Sequence, residues 1–195
     1  EALKPYMTFQ YPAIGETFFK GVYKLPEGHY FTYRDGKMDI HRYYDEDFRE
    51  GKQKLGELVN SIDQTVCDSV KAHQIADVEV GSFLSSGVDS SYVAAVARPQ
   101  HTYSIGFGKG TYNESQQAGE LAELLKLNNT AESLTDEEAF AAFPRIQWHL
   151  DEPDSNPSCV PLYFLSALAA KDVKVVLSGE GADELFAGYI DYGVH

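Results

Sequence analysis

The sequence predicts an α/β fold: a doubly wound parallel sheet with helices on both faces, preceded by a short β-hairpin. Three observations predict it. From about residue 49 short β-branched runs alternate with helical apolar stripes, a pattern that implies parallel strands joined by right-handed helical crossovers. Val173 to Leu177, apolar at every position but Lys174, reads as the cleanest strand, a continuous run suited to burial on both faces of such a sheet. Residues 1–47 differ in character, being rich in Tyr and Phe.

Taken in order, Tyr30 to Tyr33 and Met38 to Tyr43 are two short β-type runs, with Asp35-Gly36 as the turn dipeptide between them. Two strands alone are marginal in water, so this segment is expected to pack on a neighbour or complete another domain. Leu55, Leu58, Val59, Ile62, Val66 and Val70 recur at helical spacing and predict one apolar helix face. Val78 to Leu84 reads as a strand ending in a Ser/Gly loop, and Ser90 to Ala97 as a helix. His101 to Phe107 reads as a second strand, stopped by Gly106, Gly108 and Gly110. Asn113 is placed to cap the next helix with Gln116 in a capping box, and Ala118, Leu121, Ala122 and Leu125 form its inner face. A weak third strand is expected near Thr130 to Leu134. Helices follow over Asp136 to His149 and Cys159 to Ala170, the latter with Pro161 in its first turn. The domain boundary is placed between residues 48 and 49, with 49–195 as the α/β domain.

Composition narrows the class. At 195 residues, 43% hydrophobic and 24% charged, the chain has ordinary globular composition, which excludes disordered, collagenous and coiled-coil classes. No run reaches the roughly 18 apolar residues of a membrane span. The net charge of −14 repels phosphate backbones, so neither nucleic acid nor an anionic membrane is an expected partner. A small anionic ligand remains compatible, because backbone amides and a bound cation reverse the field locally. Cys67 and Cys159 are too few for a secreted disulfide framework, which favours a reducing, cytoplasmic location, and both read as packed small side chains. The six histidines show no zinc-type spacing. The opening EALKPYMTFQ has neither an initiator Met nor a signal pattern, and the chain reads as a piece of something longer.

Open parallel sheets bind ligands beyond the carboxyl ends of their strands, and two segments at such ends are dense in small and acidic residues. The first is Ser85-Ser86-Gly87-Val88-Asp89-Ser90-Ser91. Gly87 permits a tight turn, the serines offer hydroxyl donors, and the free amides of the following helix point at the same place. Asp89 adds a carboxylate able to hold Mg²⁺ against phosphate oxygens. The loop has no Lys and is not the phosphate loop of ordinary NTPases. A plain polar turn with Ser caps is the competing reading. The second is Ser178-Gly179-Glu180-Gly181-Ala182-Asp183-Glu184, where Glu180 and Asp183 are spaced to converge on one ligand or metal. Asp183 and Glu184 also suit an acidic first helical turn, a role that fits Glu180 poorly.

Together these loops carry a resemblance. The first is similar to the S-G-G-x-D-S pyrophosphate loop of ATP pyrophosphatases, whose fold is of the adenine nucleotide alpha hydrolase type. The second, within VKVVLSGEGADELFAGY (Val173 to Tyr189), resembles the signature of glutamine-hydrolysing asparagine synthetases. YSIGF (Tyr103 to Phe107), WHLDEP (Trp148 to Pro153) and FFKGVYKLPEGHYFTYRDGKMDIHRYY resemble further stretches of that family, the last of them its link from the N-terminal glutaminase domain. Residues 1–48 are thereby expected to be the tail of, or linker from, that domain, and 49–195 a synthetase domain truncated at its C-terminus.

The resemblance implies ATP and Mg²⁺ as cofactors. Asp89 would carry metal and pyrophosphate, with Ser85, Gly87, Val88, Ser90 and Ser91 around the phosphates. Leu84 and Ile105 would border adenine, and Ser178 and Gly179 would approach the nucleotide. Glu180 would act at the reacting centre, and Asp183 would assist the metal. The implied chemistry is activation of L-aspartate to β-aspartyl-AMP with release of pyrophosphate, then attack by ammonia supplied from glutamine by the absent glutaminase domain. A homodimer is compatible with it. Ser86 and Ala187 stand where the family usually has Gly. Asp151, Glu152 and Asp154 are either solvated or near the active site. The competing functions are a related amide-forming adenylating ligase, such as a β-lactam synthetase, and a non-catalytic ATP-binding remnant.

Overall fold

The structure is a computed structural model that describes all residues except 1, 12, 14, 48–50, 109–113, 155 and 191–195. Asn113 and Gly110, expected as a helix cap and a strand stop, lie outside the described residues. The chain divides into two units, residues 1–53 with 147–156, and residues 54–146 with 157–195.

The first unit holds α1 (Leu3–Phe9) and the antiparallel hairpin of β1 (His29–Arg34) and β2 (Lys37–Arg42). Asp35 and Gly36 have φ of 49° and 76°, as a two-residue turn with matching strand twist requires. The sequence reading missed α1, a short helix with neither a capping side chain nor a buried face to announce it. Segment 147–156 is not simply solvated. Gln147 bonds both backbone groups of Asp154, at 2.9 and 3.0 Å, and Glu152 pairs with Lys24 at 2.5 Å.

The second unit carries α2 (Leu55–His73), β3 (Val80–Phe83), α3 (Val88–Ala97), β4 (His101–Phe107), α4 (Glu114–Leu125), β5 (Asn128–Leu134), α6 (Cys159–Ala169), β6 (Val175–Leu177) and α7 (Ala182–Phe186). Helix α5 (Asp136–Leu150) runs from it into the first unit. The sheet order is β5-β4-β3-β6 and every pair is parallel. Alternate residues face opposite sides. Phe83, Tyr103, Ile105 and Val176 pack with Leu165, Leu168 and Ala169 of α6. On the other face Leu84 packs with Ala94 of α3 and Ala118 and Ala122 of α4, while Leu177 packs with Val70 of α2 and Ala97 of α3. Helices therefore cover both faces, as the alternating pattern predicts.

The face towards α3 and α4 also buries three hydroxyls, and each is satisfied. Ser82 donates to Leu177 O at 3.3 Å, Thr102 to Asn128 O at 3.0 Å, and Ser104 to Leu84 O at 2.7 Å. A buried hydroxyl without a partner would cost about 1–3 kcal/mol, so these bonds are what permits polar residues in the core.

Four expectations need correction. The run Val173 to Leu177 forms only the three-residue β6. Among the described residues β6 pairs with β3 alone, and Val175 is exposed, because an edge strand lacks neighbours to cover it. Gly106 lies inside β4 rather than stopping it, held in register with Ser133 of β5. Helix α3 begins at Val88, not Ser90, which puts Asp89 in its first turn. The helical stripe of α2 is buried only in its second half: Val66 and Val70 pack, whereas Leu55, Leu58 and Val59 stay exposed. A capping box that the sequence reading overlooked starts α5. Thr135 N–H donates to Glu138 Oε2 at 2.9 Å and Glu138 N–H returns to Thr135 Oγ1 at 3.2 Å; that backbone donor, with the Thr135 hydroxyl at 2.9 Å from the same oxygen, holds the Glu138 carboxyl below its ordinary range.

Candidate active site

Both loops leave the carboxyl ends of neighbouring parallel strands, β3 and β6, and line one cavity of about 280 Å³. Leu84 is anchored first. Its N–H donates to Tyr103 O at 2.9 Å and its carbonyl accepts the Ser104 hydroxyl, so the chain turns away from the sheet at Ser85. The serines then hold the turn from within. Ser90 Oγ accepts Ser85 N–H at 3.1 Å and lies 2.7 Å from Ser85 Oγ. That oxygen in turn accepts Gly87 N–H at 3.1 Å. Ser91 Oγ donates to Gly87 O. The α3 ladder opens with Ser91 N–H donating to Gly87 O at 3.2 Å, so the amides of Val88, Asp89 and Ser90 precede it, as the first amides of a helix must.

The second loop approaches the first at Gly179. A Cβ there would lie 2.7 Å from Ser90 N and 2.9 Å from Asp89 backbone and Cβ atoms, closer than real Cβ atoms come. The absence of a side chain is therefore what lets the loops meet. Gly181, with φ of 89°, turns the chain into α7. At the far end Ala187 takes φ of 54°, and Gly188 folds back with its N–H on Asp183 O at 3.0 Å. A Cβ on Gly188 would collide with Asp183 Oδ1.

Of the residues singled out in the sequence, Leu84, Ser85, Gly87, Asp89, Ser90, Ile105, Ser178, Gly179, Glu180 and Asp183 all line this cavity. Val88 and Ser91 do not: the Val88 side chain is 82% exposed, and the Ser91 hydroxyl is turned onto Gly87. The backbone at Ser86 is not left-handed, so its Cβ meets no conformational obstacle. The cavity also brings in residues that the sequence reading left unassigned: Phe83, Glu114 at the start of α4, Ser158, Pro161, Leu162 and Leu165 at α6, and Tyr189. Only Tyr189 had a local signal, as the last residue of SGEGADELFAGY. The α6 residues arrive through packing of that helix on the sheet, which no local pattern encodes.

The wall is polarised. Phe83, Leu84, Ile105, Pro161, Leu162 and Leu165 make an apolar side, and Asp89, Glu114, Glu180, Asp183 and Glu184 supply five carboxylates. No Lys, Arg or His is among the described lining residues. Tyr189 Oη donates to Glu184 Oε1 at 2.6 Å. That bond holds the Glu184 carboxyl below its ordinary range and, with partial desolvation and the charges of Glu184, Asp183 and Glu180, pushes the Tyr189 phenol up to about 12. Among the described residues no three His, Cys, Asp or Glu side chains are grouped to hold a metal ion on their own. A site for a hard cation would therefore have to share its ligands with a bound anion, as Mg²⁺ commonly does with phosphate. No helix of the described residues is long and apolar enough to cross a membrane.

Strand-end loops converging beside an apolar slot make this cavity the candidate ligand site, at the place where open parallel α/β sheets take their ligands. The asparagine synthase family pattern matches residues 61–193, and the chain belongs to that family. It is 40% identical over 197 residues to asparagine synthetase [glutamine-hydrolyzing] 1 of Bacillus subtilis (strain 168), covering 98% of this chain and 31% of that protein. It is 38% identical over 205 residues to a putative asparagine synthetase [glutamine-hydrolyzing] of Mycobacterium tuberculosis (strain ATCC 25618 / H37Rv), with 98% and 31% covered. To asparagine synthetase B [glutamine-hydrolyzing] of Escherichia coli (strain K12) it is 29% identical over 190 residues, with 86% and 34% covered. The chain thus spans about a third of the length of these curated relatives. Among solved structures, NMN synthetase from Francisella tularensis is similar with a TM-score of 0.46 and 19% identity, over 71% of this chain and 60% of that one.

Proposed function

We propose that this chain carries the ATP-activating part of a glutamine-dependent asparagine synthetase. The observation that supports the reading best is the meeting of the two loops at Gly179, which sets the first amides of α3 and the Asp89 carboxylate beside Glu180 and Asp183 in one cavity. In this reading the adenine of ATP lies on the apolar side, between Leu84 and Ile105, and its phosphates face the Ser85–Ser90 turn. A side-chain carboxylate oxygen of L-aspartate attacks the α-phosphorus. A carbon–oxygen–phosphorus linkage forms, the bond from the α-phosphorus to the bridging oxygen breaks, and pyrophosphate leaves. Ammonia, delivered from glutamine by a glutaminase domain elsewhere in the complete protein, then attacks the acyl carbon. AMP departs and the attacking nitrogen loses a proton, for which Glu180 is the candidate acceptor.

The residues present fit a divalent cation bound together with the nucleotide. Asp89 and Asp183 offer hard oxygen ligands, and a wall with five carboxylates and no cationic side chain needs positive charge before it can hold a triphosphate. Mg²⁺ would supply neutralisation of the phosphate oxygens. The α3 amides add to that at the transferring phosphate, and they do so without reorganising, because the serine bonds already fix the turn.

The test is pyrophosphate release by the complete protein with ATP, Mg²⁺ and ammonium, with and without L-aspartate, beside an Asp89→Asn variant. Release that requires aspartate and falls at least about 100-fold in the variant is the expected result. Release that is indifferent to aspartate would move the reading to another adenylating ligase.

A further inference from the structure

We infer that Glu184 receives the α-ammonium group of the amino-acid acceptor, and that Tyr189 is the positioning residue that presents it. The inference rests on the reading above and goes beyond it, because that reading leaves open how the acceptor is recognised. An acceptor such as L-aspartate brings two carboxylates and one ammonium into a cavity walled by carboxylates. The ammonium is the only part of it that this wall attracts directly.

Four of the five carboxylates have other positions or duties. Asp89 belongs to the first turn of α3, the turn that the reading above gives to the phosphates. Glu114 starts α4, which follows the strand carrying Ile105. Glu180 sits next to Gly179 at the junction of the loops. Asp183 takes the Gly188 N–H on its backbone carbonyl at 3.0 Å, and only the absence of a Cβ at Gly188 leaves room for its Oδ1. Glu184 is exposed on the wall and accepts a side-chain hydrogen bond there, from Tyr189 Oη at 2.6 Å to Oε1. A carboxylate accepts about four hydrogen bonds, so one bond from tyrosine orients it and leaves room for an ammonium.

An acidic residue that merely complements a helix N-terminus needs no such partner. Here the chain after α7 is bent back to supply one. Ala187 adopts a left-handed backbone, an unfavourable choice for alanine, and Gly188 packs on Asp183 before Tyr189 reaches Glu184. The Tyr189 phenol is no base in this arrangement. It keeps its proton on the side facing Glu184, and its task is to hold that carboxylate in the cavity.

The experiment uses the complete protein and measures the KM for L-aspartate, the KM for ATP, and inhibition by succinate, which is aspartate without its amino group. Glu184→Gln is expected to raise the aspartate KM by roughly tenfold or more, to leave the ATP KM within about threefold, and to erase the preference for aspartate over succinate. Tyr189→Phe should shift the aspartate KM the same way by about three- to tenfold while kcat stays within about threefold, a split that general loss of structure would not produce. An unchanged aspartate–succinate preference in both variants, or an ATP KM that rises in step with that for aspartate, overturns the inference. A wild-type protein that releases pyrophosphate without aspartate overturns the parent reading as well, so the two failures are told apart.

Discussion

The two loops of the cavity reach their conformations by different means. The turn from Ser85 to Ser91 is held by its own side chains: six bonds join Ser85, Gly87, Ser90 and Ser91. The segment from Ser178 to Glu184 has little of that kind, one long contact of 3.4 Å from Glu180 N–H to Ser178 Oγ and one of 3.4 Å from Ala182 N–H to Gly179 O. Its position is set from outside, by Gly179 lodged against Ser90 and Asp89 and by the return of Gly188 and Tyr189 over α7. One loop is specified locally and the other by contact. The first should therefore tolerate change at its neighbour, and the second should not.

The largest effect that separates them is expected at Gly179. A methyl group in Gly179→Ala would meet backbone atoms of Ser90 and Asp89, so the loops must part. We expect about 2 kcal/mol less stability by denaturant unfolding, and at least about 100-fold slower pyrophosphate release in the complete protein. Activity and stability both near wild type would mean that the loops do not need to touch. Ser90→Ala tests the self-held loop. It deprives Ser85 N–H of its acceptor and should cost about 1 kcal/mol, with faster hydrogen exchange at the Ser85 amide and unchanged exchange at Glu180. Equal acceleration at both amides would show that the two loops are one unit.

Ala187→Gly acts at the other end of the second loop and should be stabilising. It removes the cost of a left-handed alanine, and a gain of about 1 kcal/mol is expected as a rise in melting temperature. No rise would mean that the turn at 187 relaxes in solution. The smallest effect belongs to Ser86, the position where the resembling family has glycine. Because its backbone is not left-handed, Ser86→Gly should leave ATP affinity within about tenfold, or roughly 1.4 kcal/mol, by calorimetry. A larger change in either direction would give the Ser86 hydroxyl a role of its own.

The same contrast marks what was legible. The hairpin was readable because Asp-Gly encodes its turn and two short β-type runs flank it, and β4 was readable residue for residue from His101 to Phe107. Most of the cavity was readable too, since ten of the residues named for it line its wall. The length of β6 was not. Val173 to Leu177 has the composition of a buried strand, but pairing on one side only leaves Val175 exposed and the ladder short. Nor was the split in α2, whose stripe is continuous in sequence yet packs against α3 and β6 at Val66 and Val70 while Leu55, Leu58 and Val59 stay exposed.

Local chemistry is what the sequence determined on its own: turn residues, strand and helix periods, and a serine-rich loop whose hydrogen bonds close over six residues. Those interactions have short range along the chain, so their signals are short-range as well. The tertiary structure alone decided which groups share a cavity. It set Gly179 against Ser90 and carried Glu114 and α6 to the wall. These are encounters between segments tens of residues apart, fixed by burying Leu84, Tyr103 and Leu177 beneath their helices, and close packing rather than any local pattern brings such groups together.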